Sequence, residues 1–438
     1  MKTRIVTTLL LFFPFLGVAQ KAIETKPERK SHYSFVVIPA LAFDSDLGFK
    51  YGAVVNLFDY GETKFPPHYE QYLFIKITNT TKGTLNLQAL LESETLINKA
   101  KVLAEASYLV DRKLDFFGFN GTDAVYNPEF TDSESDGFQN NFFYAHHRNF
   151  LRLRFDVQKY LSGSRFRLLT GFTFHHFGIS PAREERKDKN DNSASDGFQH
   201  PTLFENYNNW GIINPEENSG GNISLFSLGL IYDSRNDPCY CTDGKWFETV
   251  FNYSPAFLGD AGFSKLVLTY RQHNSFLKDK ITFSFRVSSQ QKLSGEIPFY
   301  FVPTFYDSRL SYDGVGGAFN LRGAMRNRIA ADGFVTGNFE IKFKTLDFKL
   351  LKQYFSTSIS GFYDNAYITQ TYKVNLENVP EAEKPVHFNS GEQEVQHTFG
   401  PGLYIVFNQN NVITINYGFA ANKQIGTSGL YIGSSLLF

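Results

Sequence analysis

Leu151-Arg152-Leu153-Arg154-Phe155-Asp156-Val157-Gln158 is the stretch that decides the fold class. Apolar and polar side chains alternate in it without a fault, so as a strand it presents one face to hydrocarbon and the other to water. Phe339, Ile341 and Phe343 alternate in the same way with Glu340, Lys342 and Lys344. Ile281, Phe283, Phe285 and Val287 alternate with Thr282, Ser284, Arg286 and Ser288, and Leu85, Leu87, Ala89 and Leu91 with Asn86, Gln88 and Glu92 around an inward Leu90.

Period two alone fits a soluble antiparallel sandwich equally well. Three features turn it toward a membrane barrel. The alternating runs commonly reach ten residues or more, the length of a tilted span. Their polar face repeatedly carries charges, which a dry core does not tolerate unpaired. Finally, the chain opens with an export signal: Met1-Lys2-Thr3-Arg4 is basic, Thr7 to Val18 is almost wholly apolar, and Gly17 and Ala19 occupy the −3 and −1 positions before Gln20. The expected division is a signal peptide over 1–19, a polar periplasmic lead over 20–32, and a transmembrane barrel over 33–438.

Strands are expected near 33–40, 46–58, 68–80, 83–96, 99–111, 143–160, 164–178, 222–235, 244–256, 262–276, 280–291, 334–347, 354–366, 394–408, 411–420 and 427–438. That makes an all-β, 16-stranded antiparallel transmembrane β-barrel. Its four longest connections, 112–142, 179–221, 292–333 and 367–393, all follow odd strands and so fall on one side. Outer-membrane barrels show this pattern, with short periplasmic turns and long external loops. The long connections carry polar runs such as Lys187-Asp188-Lys189-Asn190-Asp191-Asn192-Ser193.

Composition narrows the function classes. Phe numbers 47 and Tyr 24, so 17% of the chain is aromatic, and no uninterrupted apolar stretch after the signal is long enough for a membrane helix. A net charge of −1 gives no reason to expect a nucleic-acid partner. The two cysteines, Cys239 and Cys241, are too few for a metal site and read as thiols or a local bridge in a turn. His146, His147, His175 and His176 lie near strand ends with no recognisable Ser/His/acid setting. Neither a catalytic role, a cofactor nor a metal is therefore expected, and paired rim histidines read as interfacial aromatics.

Between the eleventh and twelfth strands lies Tyr312-Asp313-Gly314-Val315-Gly316-Gly317-Ala318-Phe319-Asn320-Leu321-Arg322-Gly323-Ala324. It resembles the signature of the outer-membrane assembly factor superfamily of BamA/TamA type. There a Gly-Gly stretch (here Gly316, Gly317) leads to an aliphatic-Arg-Gly-aromatic tetrad (here Leu321, Arg322, Gly323) at the tip of an inward-folded loop. Ala324 departs from the family's aromatic. Asp233-Ser234-Arg235-Asn236-Asp237-Pro238, followed by Gly244, resembles the family's periplasmic turn between strands 8 and 9. Its spacing differs, the second acid directly preceding the proline. Gly361-Phe362-Tyr363-Asp364 resembles the aromatic-Asp motif of strand 13, and Gly337 with Glu340 a weaker motif of strand 12. The end of the chain, with Tyr431 and Gly433 on one face and Leu436 and Phe438 on the other, resembles the C-terminal signal of barrels handled by the assembly machinery.

Parity supports the pairing those motifs imply. Asp364 shares a face with Ser356, Ser358 and Ser360, so it points into the lumen, and Arg322 reaches it only if loop 292–333 dips inside. Glu340 is a second partner for Arg322, or else pairs with Lys342 and Lys344. The resemblance implies insertion of proteins into, or translocation across, the outer membrane through a weak seam between first and last strands. Pro39 in the first strand and Gly429 and Gly433 in the last suit such a seam. It also implies contact with outer-membrane lipids and a client protein. Because only 20–32 precede the first strand where full-length members carry POTRA domains, a periplasmic or lipoprotein partner is expected to replace them. The other reading is a passive channel or small-molecule transporter, its selectivity set by Arg152, Arg154, Lys342 and Lys344.

Overall fold

The computed structural model describes residues 32–433 apart from 62–68, 162–164, 184–199, 238–239, 278, 307–311, 351–352 and 408–410. The expected signal, nearly all of the lead, Pro238, Cys239, the polar run 187–193 and the terminal Leu436 and Phe438 lie outside the described residues. Sixteen strands follow in order: β1 (Tyr33–Asp44), β2 (Gly48–Asp59), β3 (Gln71–Thr80), β4 (Thr84–Ser93), β5 (Ala100–Asp115), β6 (Ala145–Tyr160), β7 (Phe166–Pro181) and β8 (Gly220–Asp233). The second half comprises β9 (Gly244–Ser254), β10 (Phe263–Phe276), β11 (Ile281–Gly295), β12 (Gly333–Leu350), β13 (Gln353–Gln370), β14 (Gln396–Phe407), β15 (Asn411–Ala420) and β16 (Ser428–Gly433).

Each strand pairs antiparallel with its sequence neighbours, and β16 returns to β1 to close the barrel. The wall turns its apolar side chains outward. In β6, Leu153 and Phe155 are exposed while Arg152, Arg154 and Asp156 are buried, and Leu90 is the inward leucine expected in β4. The buried charges are matched across strands. Arg152 forks onto Glu105 of β5 at 2.9 and 2.8 Å, Arg148 reaches Asp111 at 2.7 Å, and Arg154 reaches Asp156 at 2.7 Å. A charge-assisted fork is the cheapest way to hold a guanidinium out of water.

All the long connections lie at one end, as the sequence pattern required, but the strands run further into them. β5 continues to Asp115, β7 to Pro181, β11 to Gly295 and β13 to Gln370. The connections themselves pack a second core. Phe116, Phe119, Phe130, Phe143, Phe204, Tyr207, Phe299, Tyr300 and Phe301 are buried together, with Tyr207 5.4 Å from Phe116 in an edge-to-face pair. Edge-to-face rings add specificity beyond their buried area. The short helix α1 (Leu203–Asn209) enters this core behind a capping box formed by Thr202 and Glu205. The histidines also differ from expectation. His146 is buried against Phe116 and Phe204, and His175 against Phe150 and Phe301, while alternation leaves His176 outside, bonded to Asn222.

An arginine in place of Leu153, on the outward face of β6, is expected to cost about 2–4 kcal/mol in a bilayer. Denaturant unfolding in phospholipid vesicles measures this; an unchanged midpoint would show that the face does not meet hydrocarbon.

Candidate functional site

The connection between β11 and β12 carries the Arg322 segment, and its backbone is shaped by glycine and asparagine. Gly316 has φ 126°, and a Cβ there would lie 2.0 Å from the carbonyl oxygen of Met325. Asn320 stitches the turn, accepting from Gly316 N–H at 2.7 Å and donating to Gly314 O at 2.8 Å. Gly317 and Gly323 also take positive φ. At Gly323 the reason is steric, since a Cβ would stand 2.7 Å from the backbone of Gly418 in β15. Leu321 is fully buried beside Val315, Ile329, Phe334 of β12 and Ala366 of β13. The family's aromatic has no room at Ala324, because Gly426 of the β15–β16 connection lies against it and Met325 N–H donates to Ile425 O at 2.8 Å.

Arg322 is 1% exposed and every face of its guanidinium is engaged. Nε and Nη2 donate to the two oxygens of Asp364 at 2.8 and 2.9 Å, and the backbone N–H of Arg322 adds a third bond to that carboxylate at 3.1 Å. Nη1 donates to Glu340 of β12 at 2.9 Å and to Asn416 of β15 at 3.4 Å. The Phe362 ring lies 3.5 Å from the guanidinium carbon. Burial alone would lower the affinity of Arg322 for its proton, but Asp364 and Glu340 outweigh it and raise the pKa. Glu340 is thus brought to Arg322, leaving Lys342 and Lys344 elsewhere. Lys342 is buried 5.0 Å from the Tyr240 and Tyr404 rings, while Lys344 is exposed and bridges Asp347, not a lumenal charge as its parity suggested. A bulge between Lys344 and Leu346 breaks the alternation there.

Two further arginines of the segment went unremarked in the sequence. Arg326 donates to Asp313 at 2.6 Å and approaches Asp111 of β5 at 3.4 Å. Arg328, fully buried, donates to three carbonyl oxygens, Gly121 at 2.6 Å, Ala124 at 2.7 Å and Gln424 at 2.7 Å. Burial brings its pKa down to about 10, against the opposing pull of Tyr144, Tyr207 and Tyr126, so it is still a cation at neutral pH. The signal that could have found them is the spacing itself, three arginines in seven otherwise short or apolar residues.

The remaining motif residues lie apart from Arg322. Arg235 forks back onto Asp233 at 3.0 and 3.2 Å, Asp237 accepts from Tyr240 N–H at 3.0 Å, and Gly244 lets its strand pass Ser234 closely. The turn sends Tyr240 across the barrel to Ser358 of β13, with 3.4 Å between their oxygens. Cys241, beside it, is buried and donates to Asp243 O. Tyr431 of β16 accepts from Gly323 N–H at 3.1 Å, so one residue of the expected C-terminal signal touches the loop; Gly433 pairs with Thr414. Among the described residues, β16 meets β1 at Phe43↔Ile432 and Asp44↔Tyr431, whereas β2 pairs β1 from Tyr33 through Asp44. Among the described residues no group of three or more His, Cys, Asp or Glu is placed to hold a metal ion.

This wall and interior have relatives among solved structures. The chain superposes on BamA from Haemophilus ducreyi lacking POTRA domains 1-3 with a TM-score of 0.55 and 13% identity, covering 92% of this chain and 70% of that one. It superposes on CdiB from Escherichia coli with a TM-score of 0.52 and 9% identity, covering 91% of this chain and 62% of that one, under two thirds of its length. No family model and no curated protein sequence matches the chain. At these identities the likeness is one of fold, a closed 16-stranded outer-membrane-type barrel.

Replacing Arg322 by Ala leaves Asp364 and Glu340 buried without their cation and is expected to cost about 3–5 kcal/mol. Arg322→Lys, which cannot fork, should recover only part of it. Denaturant midpoints of the detergent-solubilised chain measure both, and wild-type stability in Arg322→Ala would remove the pair from any structural role.

Proposed function

We propose that this chain is an outer-membrane barrel that inserts proteins into the membrane or translocates them across it, with the connection 292–333 folded into the lumen as a plug. The observation that carries the reading is the Arg322 fork: a loop arginine bonded to Asp364 and Glu340, both on inward-facing positions of β13 and β12. Such a loop blocks free diffusion, which weighs against a passive channel. The fold shared with BamA and CdiB supports the same class. Gly316, Gly317, Leu321, Arg322 and Gly323 form the working tip, Asp364 and Glu340 its lumenal anchors, and Asp233, Arg235, Asp237, Pro238 and Gly244 the periplasmic turn. Lipids surround the wall, and a periplasmic or lipoprotein partner brings the client.

In this reading the β1–β16 seam opens laterally while Arg322 holds the loop. Cysteines at Phe43 and Ile432, register partners across that seam, are expected to impair assembly of the outer-membrane protein profile when oxidised and to restore it on reduction. Unchanged assembly in the crosslinked state defeats the lateral gate. Planar-bilayer recordings test the plug: the wild-type chain should conduct poorly, and Arg322→Ala should conduct more and fluctuate. A large steady conductance in the wild type would return the chain to the channel class.

A further inference from the structure

The β12–β13 hairpin outruns the barrel. Ile281, the first residue of β11, pairs with Phe343, and Lys344 N–H still reaches Lys280 O at 2.8 Å, yet β12 continues to Leu350. Tilted strands step past their neighbours at any barrel rim, but the comparable step nearby is smaller: β10 passes the His273↔Gly244 pair only as far as Phe276. Every residue from 343 to 350 is exposed, on both faces of the ribbon. Its internal contacts are those of a formed hairpin, with Phe348 stacked on Phe355 at 5.3 Å and Thr345 bonded to Thr357 at 2.8 Å.

The bulge after Lys344 realigns the strand so that Leu346 and Phe348, with Leu350 two residues on, share the outward face of Thr357 and Phe355. They are 64%, 41% and 50% exposed. Phe276 and Leu277 stand exposed at the neighbouring β10–β11 turn. Lipid does not reach this row. From Val335 to Phe343 the outward face of β12 already rises about 23 Å at a strand rise of ~3.3 Å and the usual tilt, which fills an apolar band of about 25 Å. Residues beyond Lys344 lie past the hydrocarbon. On the β11 side, moreover, no described residue pairs with β12 between 345 and 350. A free edge bearing an apolar row is a template for strand addition, and a two-stranded ribbon is marginal in water until something joins it.

We propose that the edge of β12 over 345–350 docks an extended strand of a periplasmic polypeptide, which extends the hairpin into a three-stranded sheet and covers Leu346, Phe348 and Leu350. Main-chain bonds supply the affinity, and alternate apolar side chains on the guest strand supply the fit. Lys344, Asp347 and Lys349 punctuate the ribbon with charges that discourage indiscriminate pairing. The periplasmic placement rests on the barrel orientation of the proposed function; the docking edge is independent of the seam and of Arg322.

Backbone amide exchange at 345–350 tests this on the full mature chain, one copy per phospholipid nanodisc, with and without added periplasmic extract. The expected result is fast exchange in the disc alone and at least tenfold slower exchange with extract. Leu346→Lys/Leu350→Lys should exchange fast in both while keeping wild-type exchange in β6; should that pair fail to assemble, Leu350→Ser serves instead. Fast exchange throughout overturns the proposal. So does protection in the extract-free disc, which would assign the edge to lipid, and so does equal protection of the variant. Protection that appears only with two copies per disc would assign the edge to a second copy and overturn it as well. Trypsin added to intact cells separates the two readings: cleavage at Lys349 from outside would sink the periplasmic orientation itself.

Discussion

Closure of the sheet is the constraint on which everything else in this molecule depends. A wall whose outward side chains are Leu153, Phe155, Phe226, Leu228 and Ile341 has no water on that side to satisfy backbone groups, so each strand must find both neighbours and the last must return to the first. Closure then decides where the charges go. With alternation fixed at two, Arg148, Arg152, Arg154, Glu105 and Asp111 have one place to point, and the interior becomes a dense set of paired ions. Their value lies less in net stability than in the penalty for breaking them, since each removed partner strands a buried charge.

The same logic explains why the loop is held by arginines rather than by an apolar plug alone. An interior lined with carboxylates and amides offers little to leucine but a great deal to a planar fork with five donors. Arg322 takes the carboxylates of β12 and β13, Arg326 those near β5, and Arg328 a ring of backbone carbonyls where no carboxylate is at hand. The apolar residues between them, Leu321, Ala324 and Ile329, pack among themselves and on Phe334, Ala366 and Ile368. The loop therefore has its own small core inside a polar container.

The wall was legible in the sequence because its determinant is local. Period two in 151–158 or 281–288 is set by adjacent residues, and sixteen strands with long connections on one side follow from counting. The Arg322, Asp364 and Glu340 meeting was legible through motif order and parity together. What stayed hidden depends on contacts with no local signature. Aromatic rings scattered through 116–144 and 296–306 gave no period, yet they build the core over one end of the barrel. The approach of Gly323 to Gly418 is visible only once two distant backbones cross. The reach of Tyr240 to Ser358 spans 118 positions, and the bulge after Lys344 reverses parity where alternation had been trusted.

The placement of the three loop arginines has a mechanical consequence for any opening at β1–β16. Arg322 grips β12, β13 and β15, on one side of that junction, and Gly323 adds a bond to Tyr431 of β16. Arg326 grips Asp111 of β5, which Arg148 of β6 also holds, on the other side. The loop is thus a tie across the junction, made of buried ion pairs that salt screens far less than exposed ones. Two walls tied in this way cannot part along their whole length while the loop keeps both grips. Either the opening is confined to the stretch of β1 distant from Phe43 and Asp44, or the weaker grip yields first. The distances name the weaker one: Arg326 approaches Asp111 at 3.4 Å through single, shared contacts, whereas Arg322 forks onto Asp364 at 2.8 and 2.9 Å. A wall that moves should carry the Arg322 side as one body with β12 to β16 and slip at Arg326.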